Sequence, residues 1–181
     1  MGQRPCRSPR KRSRRCACPR RDGPFQAMTS SAQSPAIDKA CPVVLHSPQG
    51  KCEILAFCHP LAGHQFVKGT VEAGETPAAA ALRELYEEAG ITAQTITTML
   101  GSSNAIQSGE RWHFFVVQTD PLPDSWQHQC ADDGGQLFGF FWHPVRQPLP
   151  DSFEHRFHKA LHFIRAQLDL LPVPKSAMQH K

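Results

Sequence analysis

Three glutamates, Glu84, Glu87 and Glu88, stand at i, i+3 and i+4 within the stretch 77–89, Pro-Ala-Ala-Ala-Ala-Leu-Arg-Glu-Leu-Tyr-Glu-Glu-Ala. On a helix this spacing puts the three carboxylates on one side. Each like-charge pair costs an isolated helix about 0.2–0.5 kcal/mol. A solvated charged face would interleave Lys or Arg, yet Arg83 is the only base in the stretch. Such a cluster suits a hard divalent cation. Mg²⁺ takes oxygen ligands and keeps its remaining positions for water and substrate phosphates. The preceding segment, Gly69-Thr-Val-Glu-Ala-Gly-Glu75, adds Glu72, Glu75 and two glycines that permit tight turns and close backbone approach to a ligand. A loop–helix unit with five acids and one embedded arginine is more than packing requires.

The elements that must hold this unit are legible from punctuation and periodicity. Thr76 is a candidate N-cap, Pro77 sits at N1, and Gly90 can take the left-handed position after the last turn, so a helix is predicted over 77–89. Ala78, Ala81, Leu82, Leu85 and Ala89 share its apolar face. Strands are predicted at 42–46, 52–59, 91–100, 111–119 and 136–143, with a short extended piece at 64–68. A closing helix is predicted over 153–168, where Phe153, Phe157, Leu161, Ile164 and Leu168 line one face. Strands and helices mix without regular alternation, which predicts an α+β fold with a mixed sheet.

Composition bounds the rest. At 181 residues, 40% hydrophobic and 20% charged, the chain suits one globular domain, and it holds no run long enough for a membrane-spanning helix. The net charge of +4 is misleading as a whole-chain figure. Residues 1–27 hold nine Lys/Arg and one acid, giving +8, while the remainder carries −4. The basic, proline-interrupted stretch 1–40 is therefore read as a disordered tail and linker, with Met28 an alternative start. Residues 41–172 are read as the domain and 173–181 as a flexible end. The tail is expected to be dispensable for folding. Seven cysteines, odd in number and irregular in spacing, are expected as reduced thiols in a cytoplasmic protein.

Gly69, Glu75 and the run Arg83-Glu84-Leu85-Tyr86-Glu87-Glu88-Ala89-Gly90-Ile91 together resemble the Nudix box, with all nine constrained positions matched across 69–91. The resemblance implies a Nudix-like α/β/α sandwich and a hydrolase that splits phosphoanhydride bonds of nucleotide derivatives with Mg²⁺ or Mn²⁺. It implies that Glu84, Glu87 and Glu88 bind the metal, that Arg83 and Glu75 orient the site, and that Gly69, Gly74 and Gly90 shape its loops. Water would attack phosphorus, and a box glutamate or an acid on a later loop would take its proton. Asp132 and Asp133 are candidates for that later acid, and Glu110 is a weaker one. Lys68, beside Gly69, is a candidate phosphate contact.

Other signals are weaker. Trp112, Phe114, Phe141 and Trp142 are expected to be core before they are base-stacking rings. His155, His158 and His162 are expected to form a polar helix face. Phosphate-binding glycine loops of the nucleoside-triphosphatase and dinucleotide types are absent from the sequence. The expected substrate is a small nucleotide, either a nucleoside triphosphate or a dinucleoside polyphosphate. The segment His64–Thr76 resembles the box entry of bacterial members acting on triphosphates, and Lys68-Gly69 resembles that of dinucleoside-polyphosphate hydrolases. No membrane or nucleic-acid partner is expected, and a second copy of the chain is a candidate partner. Two alternatives stand beside this reading. One is removal of a 5′ pyrophosphate from RNA, with the basic tail holding the polyanion. The other is a non-catalytic nucleotide-sensing module, a class that usually loses box glutamates kept in full here.

Overall fold

A computed structural model of the chain describes residues 36–130 and 134–172. Eight strands form one mixed sheet: β1 (Ile37–His46), β2 (Glu53–His59), β3 (Gly63–Gln65), β4 (Gly69–Thr70), β5 (Thr95–Ser103), β6 (Glu110–Gln118), β7 (Ser125–Cys130) and β8 (Gln136–Pro144). Two helices, α1 (Pro77–Ala89) and α2 (His155–Leu170), complete the fold. The long strands run in the order β5-β6-β1-β2-β8-β7, and only β1 and β6 pair in parallel.

The centre of the sheet is apolar on both faces. Ala40 to Val44 of β1 are all buried, as a strand covered on two sides requires. Alternation then sorts the side chains between two cores. Cys41, Val43, Ile54, Ala56, Trp112 and Phe114 pack on one face with Phe157, Leu161 and Ile164 of α2. Ala40, Val44, Leu55, Phe57, Phe138 and Phe140 pack on the other with Ala80, Ala81, Leu85 and Ala89 of α1. This is the expected helix–sheet–helix sandwich.

One break in the ladder makes room for a site. β1 and β2 pair only at Leu45↔Ile54 and His46↔Glu53. Beyond that end each takes a separate partner: β4 pairs with Lys39 and Ala40 of β1, and β3 pairs with Phe57 to His59 of β2. A cleft lies where they diverge.

Several element boundaries differ from the sequence reading. β1 starts at Ile37, inside the stretch read as linker, because its backbone is claimed by parallel pairing with β6 from Glu110 onward. The strand expected at 91–100 starts at Thr95: Ile91 is buried but belongs to the loop that follows the Gly90 cap. The segment 64–68 divides between β3 and the approach to β4. α2 begins two residues later than expected, with Phe153 buried in the preceding turn. β7 is an element absent from the reading, since Ser125, Gln127 and Gln129 face outward on an edge strand and dilute the apolar signal. Trp126 gives it away, stacking on Phe140 at 4.8 Å between ring centroids. No helix among the described residues is long and apolar enough to cross a membrane.

Candidate active site

The α1 helix forms with both ends capped as its residues dictate. The Thr76 hydroxyl accepts a hydrogen bond from the Ala79 amide at 3.2 Å, and Pro77 fills the position whose N–H would go unused. At the other end Gly90 adopts φ +69°, and its amide donates to the Tyr86 carbonyl at 2.9 Å. With Leu85 and three alanines turned to the sheet, the polar side of the helix faces the cleft.

Arg83 organises that side. Its Nε and Nη2 donate to the two carboxylate oxygens of Glu75, each at 3.0 Å. Its Nη1 donates to Glu84 at 2.9 Å and to Glu87 at 2.7 Å, and Nη2 also reaches the Thr70 carbonyl at 2.9 Å. The planar fork thus ties the loop to the helix and offsets the repulsion between acids. Glu75 in turn accepts from the Glu72 amide at 3.1 Å, which closes the loop around Gly74 at φ +84°. Hydrogen bonds from Arg83 hold the Glu75 carboxyl below its ordinary range, and the same acids raise the Arg83 guanidinium above its own.

Glu84 is half-buried, and burial pushes its carboxyl above the ordinary value despite the neighbouring Arg83. It lies against Gly69 so closely that a Cβ on that residue would stand 1.6 Å from the Glu84 carboxyl carbon. The glycine is therefore a steric requirement of the carboxylate's position. Glu88 accepts from the Lys68 amide at 3.3 Å, and the Lys68 ammonium lies 4.0 Å from its other oxygen. The cleft, about 390 Å³, is lined by Glu84, Glu87, Glu88 and Lys68 on this side.

The donor set suits a hard cation: three carboxylates enter one cleft with no thiol or imidazole of their own unit among them. Among the described residues, however, no three acidic, histidine or cysteine groups converge to hold an ion as they stand. Arg83 engages Glu84 and Glu87, and Lys68 engages Glu88. The three expected ligands share a cleft without sharing a point.

Of the other candidates, Asp132 and Asp133 lie outside the described residues. Glu110, the weaker candidate, does line the cleft, where its carboxylate accepts from the Trp112 indole at 2.7 Å. Trp112 and Phe114 are fully buried core, and Trp142 stacks on His46 at 3.7 Å, so these rings lie away from the cleft walls. His158 hydrogen-bonds the Phe153 carbonyl, and the three α2 histidines line no part of the cleft.

Other cleft residues escaped the sequence reading. Phe57 and Phe138, stacked at 4.7 Å, form an apolar end with Cys130. Gln65 is only 5% exposed and lines the same space. Lys39 and Arg156 enter from β1 and α2. Alternation within β2 and β8 could have suggested the phenylalanines, but no local spacing marks Lys39 or Arg156.

Comparison with known proteins agrees with this architecture. A family model described as the NUDIX domain matches residues 38–163. The chain is 31% identical over 138 residues to an RNA pyrophosphohydrolase of Aeromonas hydrophila subsp. hydrophila, covering 65% of this chain and 77% of that protein. It is 28% identical over 95 residues to an RNA pyrophosphohydrolase of Roseobacter denitrificans, covering 52% of this chain and 55% of that relative. Among solved structures it resembles a C. elegans Ap4A hydrolase at 22% identity and a TM-score of 0.52, over 74% of this chain and 98% of that one. It also resembles a UDP-X diphosphatase at 18% identity and a TM-score of 0.55, over 78% and 67% of the two chains. These structural likenesses speak to the fold.

Proposed function

This chain belongs to the Nudix family, and from that premise we propose that its cleft hydrolyses a phosphoanhydride bond of a nucleotide derivative with the help of Mg²⁺ or Mn²⁺. One observation carries the reading. A single arginine fork ties Glu75 to Glu84 and Glu87, and those two line a cleft of about 390 Å³ together with Glu88 and Lys68. An acidic helix serving only solubility would not spend its sole base on holding carboxylates toward a cavity.

Nudix hydrolases generally use divalent metal ions. Here Glu84, Glu87 and Glu88 would be the ligands, and a bound cation would neutralise phosphate charge and lower the pKa of an attacking water. The protein's own groups supply the positioning. Glu75 sets the plane of Arg83, and Arg83 aims Glu84 and Glu87. The Lys68 amide steadies Glu88, and the Lys68 ammonium, 4.0 Å from the same carboxylate, would turn to substrate phosphate. The water oxygen bonds to phosphorus as the bridging P–O bond breaks. The bridging oxygen leaves with its phosphate, and a cleft carboxylate accepts the water's proton. We place the protein in the cytoplasm, in keeping with Cys41, Cys52 and Cys58, which form no disulfide among the described residues.

The test is a screen for phosphate release over nucleoside triphosphates, dinucleoside polyphosphates and nucleotide sugars, with each metal and after its removal. Turnover that needs the metal and stops in excess EDTA is the expected result. Full turnover after metal removal would overturn the reading. A second reading, removal of pyrophosphate from the 5′ end of RNA, is favoured by the named activity of the two bacterial relatives. Triphosphate-ended RNA belongs in the same screen. It should be compared at two salt concentrations with and without residues 1–27, because binding through the basic tail falls steeply with salt.

A further inference from the structure

A second hollow lies between one flank of α2 and the end of β5 with the turn that follows it. It measures about 550 Å³, a size suited to a small molecule. The helix contributes His158, Lys159, His162, Phe163 and Ala166, and the turn side contributes Ser103, Ala105 and Ile106. None of these residues lines the acidic cleft. The helical ones stand at i, i+1, i+4, i+5 and i+8, so a single stripe of α2 forms one side.

Both sides are held by the fold. Ile106 is 2% exposed, and Phe163 packs on the core residue Phe114 with ring centroids 4.9 Å apart. The turn is tied by the Ala105 amide, which donates to the Ser103 hydroxyl at 3.2 Å, and by Arg111 Nε, which donates to the Asn104 side-chain oxygen at 3.2 Å. His158 Nε2 donates to the Phe153 carbonyl at 3.3 Å. The hollow is therefore preformed.

Its lining divides by depth and by charge. Ile106 is buried and Phe163 half-buried, while Lys159 and His162 are exposed, so an apolar floor lies under a basic rim. No acid lines the hollow among the described residues. Between His155 and Leu168 the helix holds no Asp or Glu. The acids at its two ends are taken, Glu154 by Arg156 and Asp169 by Arg146. Lys159 thus keeps its charge at the rim, uncompensated by its own helix.

An apolar floor beside an uncompensated lysine matches a ligand with an apolar ring and one anionic group. We propose that this hollow is a second ligand site, separate from the cleft, and that it takes an aromatic carboxylate or sulfonate. The ring lies against Ile106 and Phe163, and the anionic group meets Lys159 and His162. The polar edge of a nucleobase would find only the Ser103 hydroxyl there, so a nucleotide is the poorer fit. The assignment does not depend on the hydrolase reading, and its test needs no turnover.

The experiment titrates the full chain with anilinonaphthalene sulfonate and follows its fluorescence, in wild type, Lys159→Gln and Ala166→Trp. Wild type should bind the probe. Lys159→Gln should weaken binding about threefold, as loss of one partly exposed charge contact predicts. Ala166→Trp, a large side chain placed at an exposed position in the lining, should abolish it. Naphthoate should displace the probe, and its neutral alcohol analogue and adenosine monophosphate should not. Unchanged affinity in either variant overturns the site. Displacement by the neutral analogue as effective as by naphthoate overturns the role of the charge, and equal displacement by the nucleotide overturns the ligand class. If Ala166→Trp fails to melt cooperatively, Lys159→Gln and the three competitors decide.

Discussion

The two helices cover opposite faces of one sheet, yet they are built for different purposes. α2 buries Phe157, Leu161 and Ile164 and joins a core rich in aromatic rings. α1 buries three alanines and one leucine. Small contacts bring α1 close to the sheet and leave little apolar area to hold it, roughly 25 cal/mol for each Å² covered. Its other side then carries mutually repelling acids. α1 compensates at its edges, with the Thr76 cap, the Gly90 stop and the Arg83 fork. α2 has no side-chain cap bond at its N-terminus and does not need one. On this contrast α2 is the helix built for stability, and α1 is the one for which we propose chemistry.

If that division is right, substitutions should separate the two properties. The largest effect is expected from Ile164→Ala, at a position 0% exposed. It should destabilise by about 2–5 kcal/mol while leaving turnover per folded molecule intact. Urea titration beside active-site-normalised kinetics would show this. A loss of turnover equal to the loss of stability would erase the division.

Glu87→Gln and Glu88→Gln should each slow turnover by at least about tenfold, some 1.4 kcal/mol in barrier. Neither should lower the melting temperature appreciably, because each removes like-charge repulsion. Wild-type rates in both at saturating metal would contradict the role given to α1. Next in size, Thr76→Ala should cost about 1 kcal/mol through the lost cap bond to Ala79. Glu154→Ala, at the uncapped start of α2, should cost less. Paired melts of the two variants test this, and equal losses would show that α1 does not depend on its ends.

The smallest effect concerns the far end of α2. Arg146 grips Asp169 there through both nitrogens, and those hydrogen bonds hold the Asp169 carboxyl below its usual range. A depressed carboxyl stabilises the fold above its ordinary pKa of about 4 and loses that contribution as pH falls through the lowered value. Melting curves of wild type and Asp169→Asn should therefore differ slightly at neutral pH and converge in acid. A gap that persists in strong acid would mean that the pair acts through packing instead.

The same division explains what could be read in advance. α1 was legible to the residue, because its cap, its stop and its carboxylates are encoded within 23 consecutive positions. α2 was legible because five apolar residues keep one period. β7 was not, since an edge strand with outward Ser125, Gln127 and Gln129 lacks the density of a core strand. The entry of Lys39 and Arg156 into the cleft was beyond reach for another reason. Lys39 and Arg156 are brought together only by strand register and helix docking, which no local spacing records. Glu110 could not be placed at the cleft in advance for the same cause: its position follows from its step ahead of Trp112 in β6. Helical spacing put Glu84, Glu87 and Glu88 on one side, and all three line the cleft, but spacing does not record which cation each carboxylate meets.

The parallel pairing of β1 with β6 sets an order of events during synthesis. β1 leaves the ribosome early, but its register with β6, from Ile37↔Glu110 to Val44↔Val117, waits until the entire loop–helix unit has been made. Closing so long a loop of some 70 residues carries a length-dependent entropy of roughly 4 kcal/mol. α1, by contrast, needs only its own residues to begin, and its caps act locally. The acidic segment is thus written out and able to turn into helix while the middle of the sheet is still open. Its alanine face must wait for a floor. Pulsed hydrogen exchange during refolding should find the amides of β1 facing β6 among the last protected, and early protection there would show that the chain closes its longest loop first.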